Sequence, residues 1–264
     1  MVLINGCSYV AGFGLDNPDD SYHVAACKEL GLEYQNIAIP GASNDLIRST
    51  TISEVLANPG RYTRVHLGFT GTVRISLSTI DSNEHAHHHF LFGAIGTTTD
   101  EIQLHEIFWK KYLRVIFWVH NYAQNVYLIQ EFCRNRGIAC VCVNSARDVD
   151  FAFWLIMYDM VTAQADPKDI LTAARRHESE FYYADELSDL YHKSGPETFF
   201  TVVKKISTMV NSIDQSKFVG LGQRHLHDCL DFWPVGNDGS HPGIEAHQHM
   251  TALVVERLKN DLHR

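Results

Sequence analysis

Short apolar runs and helix-patterned segments alternate twice within the first 70 or so residues, and this limits the fold more than any other feature of the chain. Leu3-Ile4-Asn5-Gly6 is an apolar run that ends in glycine and leads into Cys7-Ser8, which reads as a strand followed by a turn. Gly12 to Asp20 is rich in Gly, Pro, Asn and Asp and reads as a loop. Residues 20–31 have helical spacing, with Val24, Cys27 and Leu30 on one face and Gly31 suited to the C-terminal cap. Leu32 to Ile39 reads as a second strand, stopped by Pro40-Gly41. Ser43 and Asn44 suit the start of a helix that runs to about Leu56, and Arg64 to Gly68 is a third strand. A β-α-β-α-β order predicts a parallel sheet with helices on both faces.

The middle of the chain is less regular. Residues 76–105 show no clean period, and Glu101 to Arg136 reads as one long or broken helix rich in aromatics, ended by Gly137. Ile138 to Asn144 is a buried strand on which Cys140 and Cys142 share a face. Residues 150–215 read as mostly helical, with breaks near Asp166-Pro167 and Gly195-Pro196. That is longer than a plain crossover requires. The expectation is a single domain over 1–264 with insertions at 76–130 and 150–215. Ile244 to Leu262 forms a terminal helix with Ala246, Met250, Leu253, Val254 and Leu258 in one stripe.

The 264 residues are enough for one sizeable α/β core. A net charge of -9 argues against a nucleic-acid partner, because phosphate binding draws on a basic surface. A neutral, cationic or sugar substrate fits that balance better. No apolar stretch is long enough to span a bilayer, and the first residues lack the basic region and cleavage site of a secretory signal. The six cysteines form no C-x-x-C pair and are expected to be reduced core residues of a cytoplasmic protein.

Three segments carry chemistry. In an open parallel sheet, ligands sit beyond the carboxyl ends of the strands, where the following loops converge. Ser8 follows the first strand and would act as a nucleophile once a base takes its proton. Gly41, in the loop after the second strand, leaves room for its N–H to face an oxyanion. Asp238-Gly239-Ser240-His241-Pro242 sets an acid three residues before a histidine, spacing that lets the carboxylate fix the imidazole tautomer. Pro242 suits the first turn of the terminal helix.

Gly6-Cys7-Ser8 after the first strand, Gly41-Ala42-Ser43-Asn44 after the second and Asp238-x-x-His241-Pro242 before the last helix resemble, in that order, the SGNH (GDSL-like) hydrolase superfamily. The resemblance covers roughly residues 1–75 and 230–262. It implies a flavodoxin-like three-layer α/β/α sandwich with a five-stranded parallel sheet and helical insertions. It also implies a cofactor-free esterase: Ser8 as nucleophile and first oxyanion donor, Gly41 as second donor, His241 as base and Asp238 as its orienting acid. Its substrate would be a small-molecule or carbohydrate ester.

Two positions depart from the family pattern. Cys7 stands where aspartate is usual. In the third block, Gly68-Phe69-Thr70-Gly71, Thr70 falls where the family has an asparagine that donates to the oxyanion. The Thr70 hydroxyl is a candidate oxyanion donor of shorter reach, Asn44 or Arg74 is a candidate to supply the missing positive field, and Arg74 is also a candidate for substrate binding. The Gly-Cys-Ser form with a Thr-x-x-x-Arg third block resembles proteins of tailed bacteriophages, which implies a viral source. The alternative function is then a weak or inactive binding protein, such as a virion component.

Blander readings stand beside these. Ser8 alone could be a turn serine, Asp238-x-x-His241 a turn and helix cap, and Gly41 a loop glycine. Thr70 could be a strand-end hydroxyl and Arg74 a surface charge. The cluster His85, His87, His88 and His89 invites a metal, but adjacent strand residues alternate faces, so the expectation is a polar loop or lid and no metal. Phe108, Trp109, Tyr112, Phe117, Trp118 and Tyr122 have near-helical spacing typical of core. An aromatic wall for a sugar or acyl chain is the alternative.

Overall fold

The computed structural model describes residues 1–71, 75–80, 86–91, 115–144, 149–177, 183–219, 234–239 and 241–262. The first apolar run forms β1 (Val2–Gly6), buried along its whole length. A short 3-10 turn at Pro18–Asp20 leads into α1 (Tyr22–Glu29). The next strand, β2 (Tyr34–Asn36), is shorter than the expected 32–39 run and is half exposed. It is an edge strand with one neighbour, although Ile37 and Ile39 still donate to Ile4 and Gly6 carbonyls at 2.9 and 3.1 Å. Ser43 caps α2 (Asn44–Ala57) by accepting from the Leu46 N–H, and β3 (Arg64–Phe69) follows.

An antiparallel hairpin of β4 (Ile75–Ile80) and β5 (Ala86–Leu91) occupies part of the region that showed no period. Beyond it come α3 (Val115–Asn135) and β6 (Ala139–Asn144), then α4 (Phe151–Thr162), α5 (Pro167–Arg176) and α6 (Tyr183–Asn211), which is interrupted at Gly195. A two-residue strand, β7 (Phe218–Val219), and the terminal α7 (Ile244–Leu262) complete the described chain.

The main sheet has the order β2-β1-β3-β6-β7, and every pairing in it is parallel. Counted within that sheet alone this is 2-1-3-4-5, the flavodoxin-like doubly wound order. Alternate residues feed opposite faces. Val2 and Ile4 of β1, with Val141 and Val143 of β6, pack with Val24, Cys27, Met250, Val254 and Leu258 of α1 and α7. On the opposite face the side chain of Asn5 donates to the Ile47 carbonyl and to Thr50 and Thr51 of α2. Gln130 of α3 reaches Cys142 there. Helices thus cover both faces, the three-layer arrangement expected. Each apolar side chain fully buried in these layers contributes about 1.5–3 kcal/mol.

The chain divides into two compact units. The sheet belongs to the first, made of Met1–Gly93, Leu128–Arg147 and Gln215–Arg264; the second comprises Ala94–Tyr127 and Asp148–Asp214. Within the second, Phe153, Trp154 and Tyr183 form a ring cluster with centroids 5.1–5.5 Å apart. Glu186 accepts from the Ile116 N–H at 3.1 Å, setting a carboxylate at the positive N-terminal end of α3. Trp118 and Tyr122 are buried there, so these two members of the aromatic run are core. Phe108, Trp109 and Tyr112 lie outside the described residues.

Five cysteines are free and buried, and the Cys140 and Cys142 sulfurs lie 3.6 Å apart on one strand face. Cys229 is outside the described residues. No described helix is long and apolar enough to cross a membrane.

Candidate active site

Three chain segments meet at the carboxyl end of β1. The first is the tight turn that follows it. Val10 and Ala11 donate to the Cys7 carbonyl, and Phe13 donates to the Ser8 carbonyl at 2.9 Å. This coil holds Ser8 at 3% exposure directly past the strand. Close packing behind it admits no side chain at Gly68, where a Cβ would lie 2.2 Å from Val10 Cγ2 and 2.5 Å from Tyr22 Oη.

The second segment precedes α7. Residues 234–236 and 241–243 run antiparallel: Gly236 donates to His241 O at 2.7 Å, Gly243 donates to Pro234 O at 3.0 Å, and Val235 bridges Pro242. Pro242 therefore sits in this bridge, ahead of the helix rather than in its first turn. Between the two arms, Asp238 Oδ1 accepts the His241 backbone N–H at 3.0 Å while Oδ2 meets His241 Nδ1. A carboxylate on Nδ1 keeps the ring proton there and leaves Nε2 as an acceptor. His241 Nε2 lies 2.9 Å from Ser8 Oγ. The structure thus joins all three residues expected at the two ends of the chain.

The two segments are tied directly. Asn237 donates its backbone N–H to Gly14 O at 2.9 Å, and its side-chain amide bonds the Asp16 carboxylate. Gly14 has φ +87, and a Cβ there would lie 3.0 Å from both Asp238 Oδ1 and His241 Cβ. Deeper in the fold, His247 of α7 accepts the Tyr22 N–H at 3.2 Å through Nδ1. This supplies the start of α1 with the cap that Ser21 does not provide. Burial, and then nearby His241, lowers the His247 pKa to about 4, so the ring stays a neutral acceptor.

The third segment is the loop between β2 and α2. The Ile39 bond to Gly6 O brings it to the end of β1, and Gly41 follows in the left-handed region at φ +80. Asn44 is buried, and its amide group bonds both sides of the Thr70 main chain. Nδ2 donates to Thr70 O at 3.0 Å, and Oδ1 accepts Thr70 N–H at 2.9 Å. The expected substitute donor is thus engaged with the backbone of the third block and acts on Thr70 as a two-pronged clamp. Arg74 and His85 lie outside the described residues. By backbone register in β5, His87 is opposite Thr79 and His89 opposite Leu77.

Sequence reasoning missed Asn237, Gly14, Phe13, Tyr9 and His247. The rings of Tyr9 and Phe13 stand edge-on to His241, at 5.5 and 5.2 Å between centroids. Only the Asn and Gly content of their loops marked any of these positions.

No protein-family model matches the chain, and no curated protein matches it. Solved structures do resemble it. A psychrotrophic esterase from a Pseudoalteromonas species, inhibited by monoethylphosphonate, is 10% identical with a TM-score of 0.46, covering 100% of this chain and 98% of its own. A carbohydrate esterase family 2 enzyme with its carbohydrate-binding domain, from Corynascus thermopiles (Myceliophthora fergusii), is 12% identical with a TM-score of 0.46, covering 100% of this chain and 66% of its own. A GDSL-like lipase from Bacteroides thetaiotaomicron is 14% identical with a TM-score of 0.40, covering 98% and 88%. The parallel 2-1-3-4-5 sheet, with Ser8 past β1 and Asp238 and His241 ahead of the last helix, is the arrangement the motif resemblance implied. The fold itself is a flavodoxin-like, doubly wound α/β sandwich. At these identities and scores, the neighbours assign no residue a role and no substrate to this chain.

Proposed function

We propose that this protein hydrolyses a carboxylic ester through Ser8, His241 and Asp238. The observation that carries this reading is the unbroken hydrogen-bonded chain from the Asp238 carboxylate through His241 to the Ser8 hydroxyl. Ser8 Oγ attacks the ester carbonyl as His241 Nε2 takes its proton. Asp238 holds the ring and stabilises the imidazolium. The N–H groups of Ser8 and Gly41 receive the oxyanion. His241 then protonates the leaving alcohol, and water repeats the cycle to release the acid. The chemistry calls for no cofactor. The acidic total charge suits an uncharged small-molecule or carbohydrate ester as substrate.

The Asn44 clamp favours a second reading, in which the fold binds rather than turns over its ligand. With that amide on the Thr70 main chain, Asn44 does not serve as a third, amide donor beside the Ser8 and Gly41 N–H groups. Loss of a third typically raises a barrier by about 2.7–4 kcal/mol, or about 10²–10³ in rate. A slow esterase and a binding protein separate on one comparison. Wild type and Ser8→Ala are assayed on short-chain p-nitrophenyl esters, and the hydrolase reading expects Ser8→Ala to remove about four to six orders of magnitude. Equal turnover by the two proteins would end it.

A further inference from the structure

We propose that Phe13 selects the alcohol half of the substrate by offering an aromatic face to a ring carried on the leaving oxygen; this rests on the serine-hydrolase reading above. Phe13 is 51% exposed, the most of any large hydrophobic among the described residues. It is nonetheless held in place. Its N–H donates to Ser8 O at 2.9 Å, and its ring lies 5.2 Å from the His241 ring at an interplanar angle of 66°. Tyr9 packs on the same imidazole at 84°. Phe13 is therefore an apolar surface fixed beside the proton-transfer group and open to solvent.

The direction of proton transfer decides which half of the ester meets it. In acylation the Ser8 Oγ–carbon bond forms and the carbon–alkoxy oxygen bond breaks. The proton passes from Ser8 to His241 Nε2 and then to the departing alkoxy oxygen. That oxygen must lie within reach of Nε2, so the alcohol leaves over the imidazole while the acyl chain leads away from it. A group that rests against the imidazole and projects outward touches the alcohol first. Val235, 48% exposed, lies on the arm that bridges Pro242, and two residues on Asn237 bonds Gly14. An exposed aromatic face suits a ring with exposed C–H groups. Aryl and pyranose alcohols share that chemistry.

The test measures kcat/KM for phenyl acetate, cyclohexyl acetate, an acetylated methyl xyloside and ethyl acetate, and for ethyl butyrate, with wild type, Phe13→Ala and Phe13→Tyr. A ratio between two substrates on one protein cancels the fraction folded, and comparing that ratio between wild type and variant cancels intrinsic ester reactivity. We expect Phe13→Ala to lower the ring-over-ethyl preference about tenfold and Phe13→Tyr to keep it, with the butyrate-over-acetate ratio moving less than about twofold. A fall for the xyloside as well as the aryl ester assigns the face to sugar rings; a fall for phenyl and cyclohexyl esters alone assigns it to simpler ring alcohols. An unchanged ring preference, or a shift in the acyl ratio instead, overturns the assignment. If wild type cleaves none of these esters and a fluorophosphonate leaves Ser8 unmodified, the hydrolase reading itself has failed.

Discussion

His241 links two residues from opposite ends of the chain: its Nε2 is 2.9 Å from the hydroxyl of Ser8, 233 positions earlier, while its Nδ1 meets the carboxylate of Asp238, three positions earlier. Asp238 does two jobs at once, since its other oxygen accepts the His241 backbone N–H. Asp238→Asn separates them. An amide oxygen can still cap the turn, but the amide cannot favour the productive tautomer or stabilise the imidazolium. We expect kcat to fall about 10⁴-fold with thermal stability nearly unchanged. A loss under tenfold would mean that the carboxylate is only a turn cap.

Gly14 stands between the loop after β1 and the Asp238–His241 turn. A methyl group there must be accommodated at φ +87 and against two atoms of the site at 3.0 Å. Gly14→Ala should cost about 1 kcal/mol or more in stability and lower kcat beyond what the lost stability explains. Denaturant titration beside steady-state kinetics reads both. Wild-type kinetics in a destabilised Gly14→Ala would show that the turn does not depend on this contact.

Asn44→Leu removes both bonds to the Thr70 main chain in a site where Asn44 and Thr70 are nearly inaccessible to water. A buried backbone N–H and carbonyl would each lose a partner, at about 1–3 kcal/mol apiece. We expect a drop of several kcal/mol in unfolding free energy, measured by urea titration. Asn44→Asp should retain part of it, because its oxygen still accepts the Thr70 N–H. If Asn44→Leu is as stable as wild type, the clamp contributes nothing.

Stability should fall on mild acidification. Burial, reinforced by His66, lowers the His23 pKa well below the ordinary value; burial and then Arg64 lower His66 to about 3; burial and then His241 lower His247 to about 4. In the unfolded chain each titrates near 6.5. Below that pH the unfolded state binds protons that the native state excludes, so stability rises with pH across this range. The contribution is intact above about pH 6.5 and is lost as the pH falls toward 4 and below, by up to about 1.4 kcal/mol per pH unit per histidine. Urea midpoints taken between about pH 7 and pH 5 should show it, and His247→Asn should flatten the slope. A midpoint independent of pH in that interval would contradict neutral burial of these rings.

Much of this architecture is legible from local pattern. Apolar runs at β1, β3 and β6 mark buried strands because each has sheet neighbours on both sides and helices on both faces. Ser43 marks the start of α2 through its own side chain, and the Ile244–Leu262 stripe marks α7. Signals weaken where structure is held from a distance. β2 carries a strand-like run over 32–39, yet as an edge strand it forms a ladder only at Tyr34–Asn36. Two-residue β7 is too short for any period and exists because β6 offers it an edge.

In the candidate site, Ser8, Asp238 and His241 stand out in the sequence through the order of short motifs that carry them. The support around them does not. His247 caps α1 from 225 positions away, and Asn237 finds Gly14 only after folding. Nothing in Gly12-Phe13-Gly14 signals that its phenyl ring will stand beside the imidazole.

Intact-mass and peptide mapping after treatment with a fluorophosphonate test the activated serine most directly. We expect one phosphonyl adduct on Ser8 in wild type, and loss of labelling in His241→Ala while that variant remains folded. A folded wild-type protein with no adduct, or an adduct on any other serine, would contradict the proposed nucleophile.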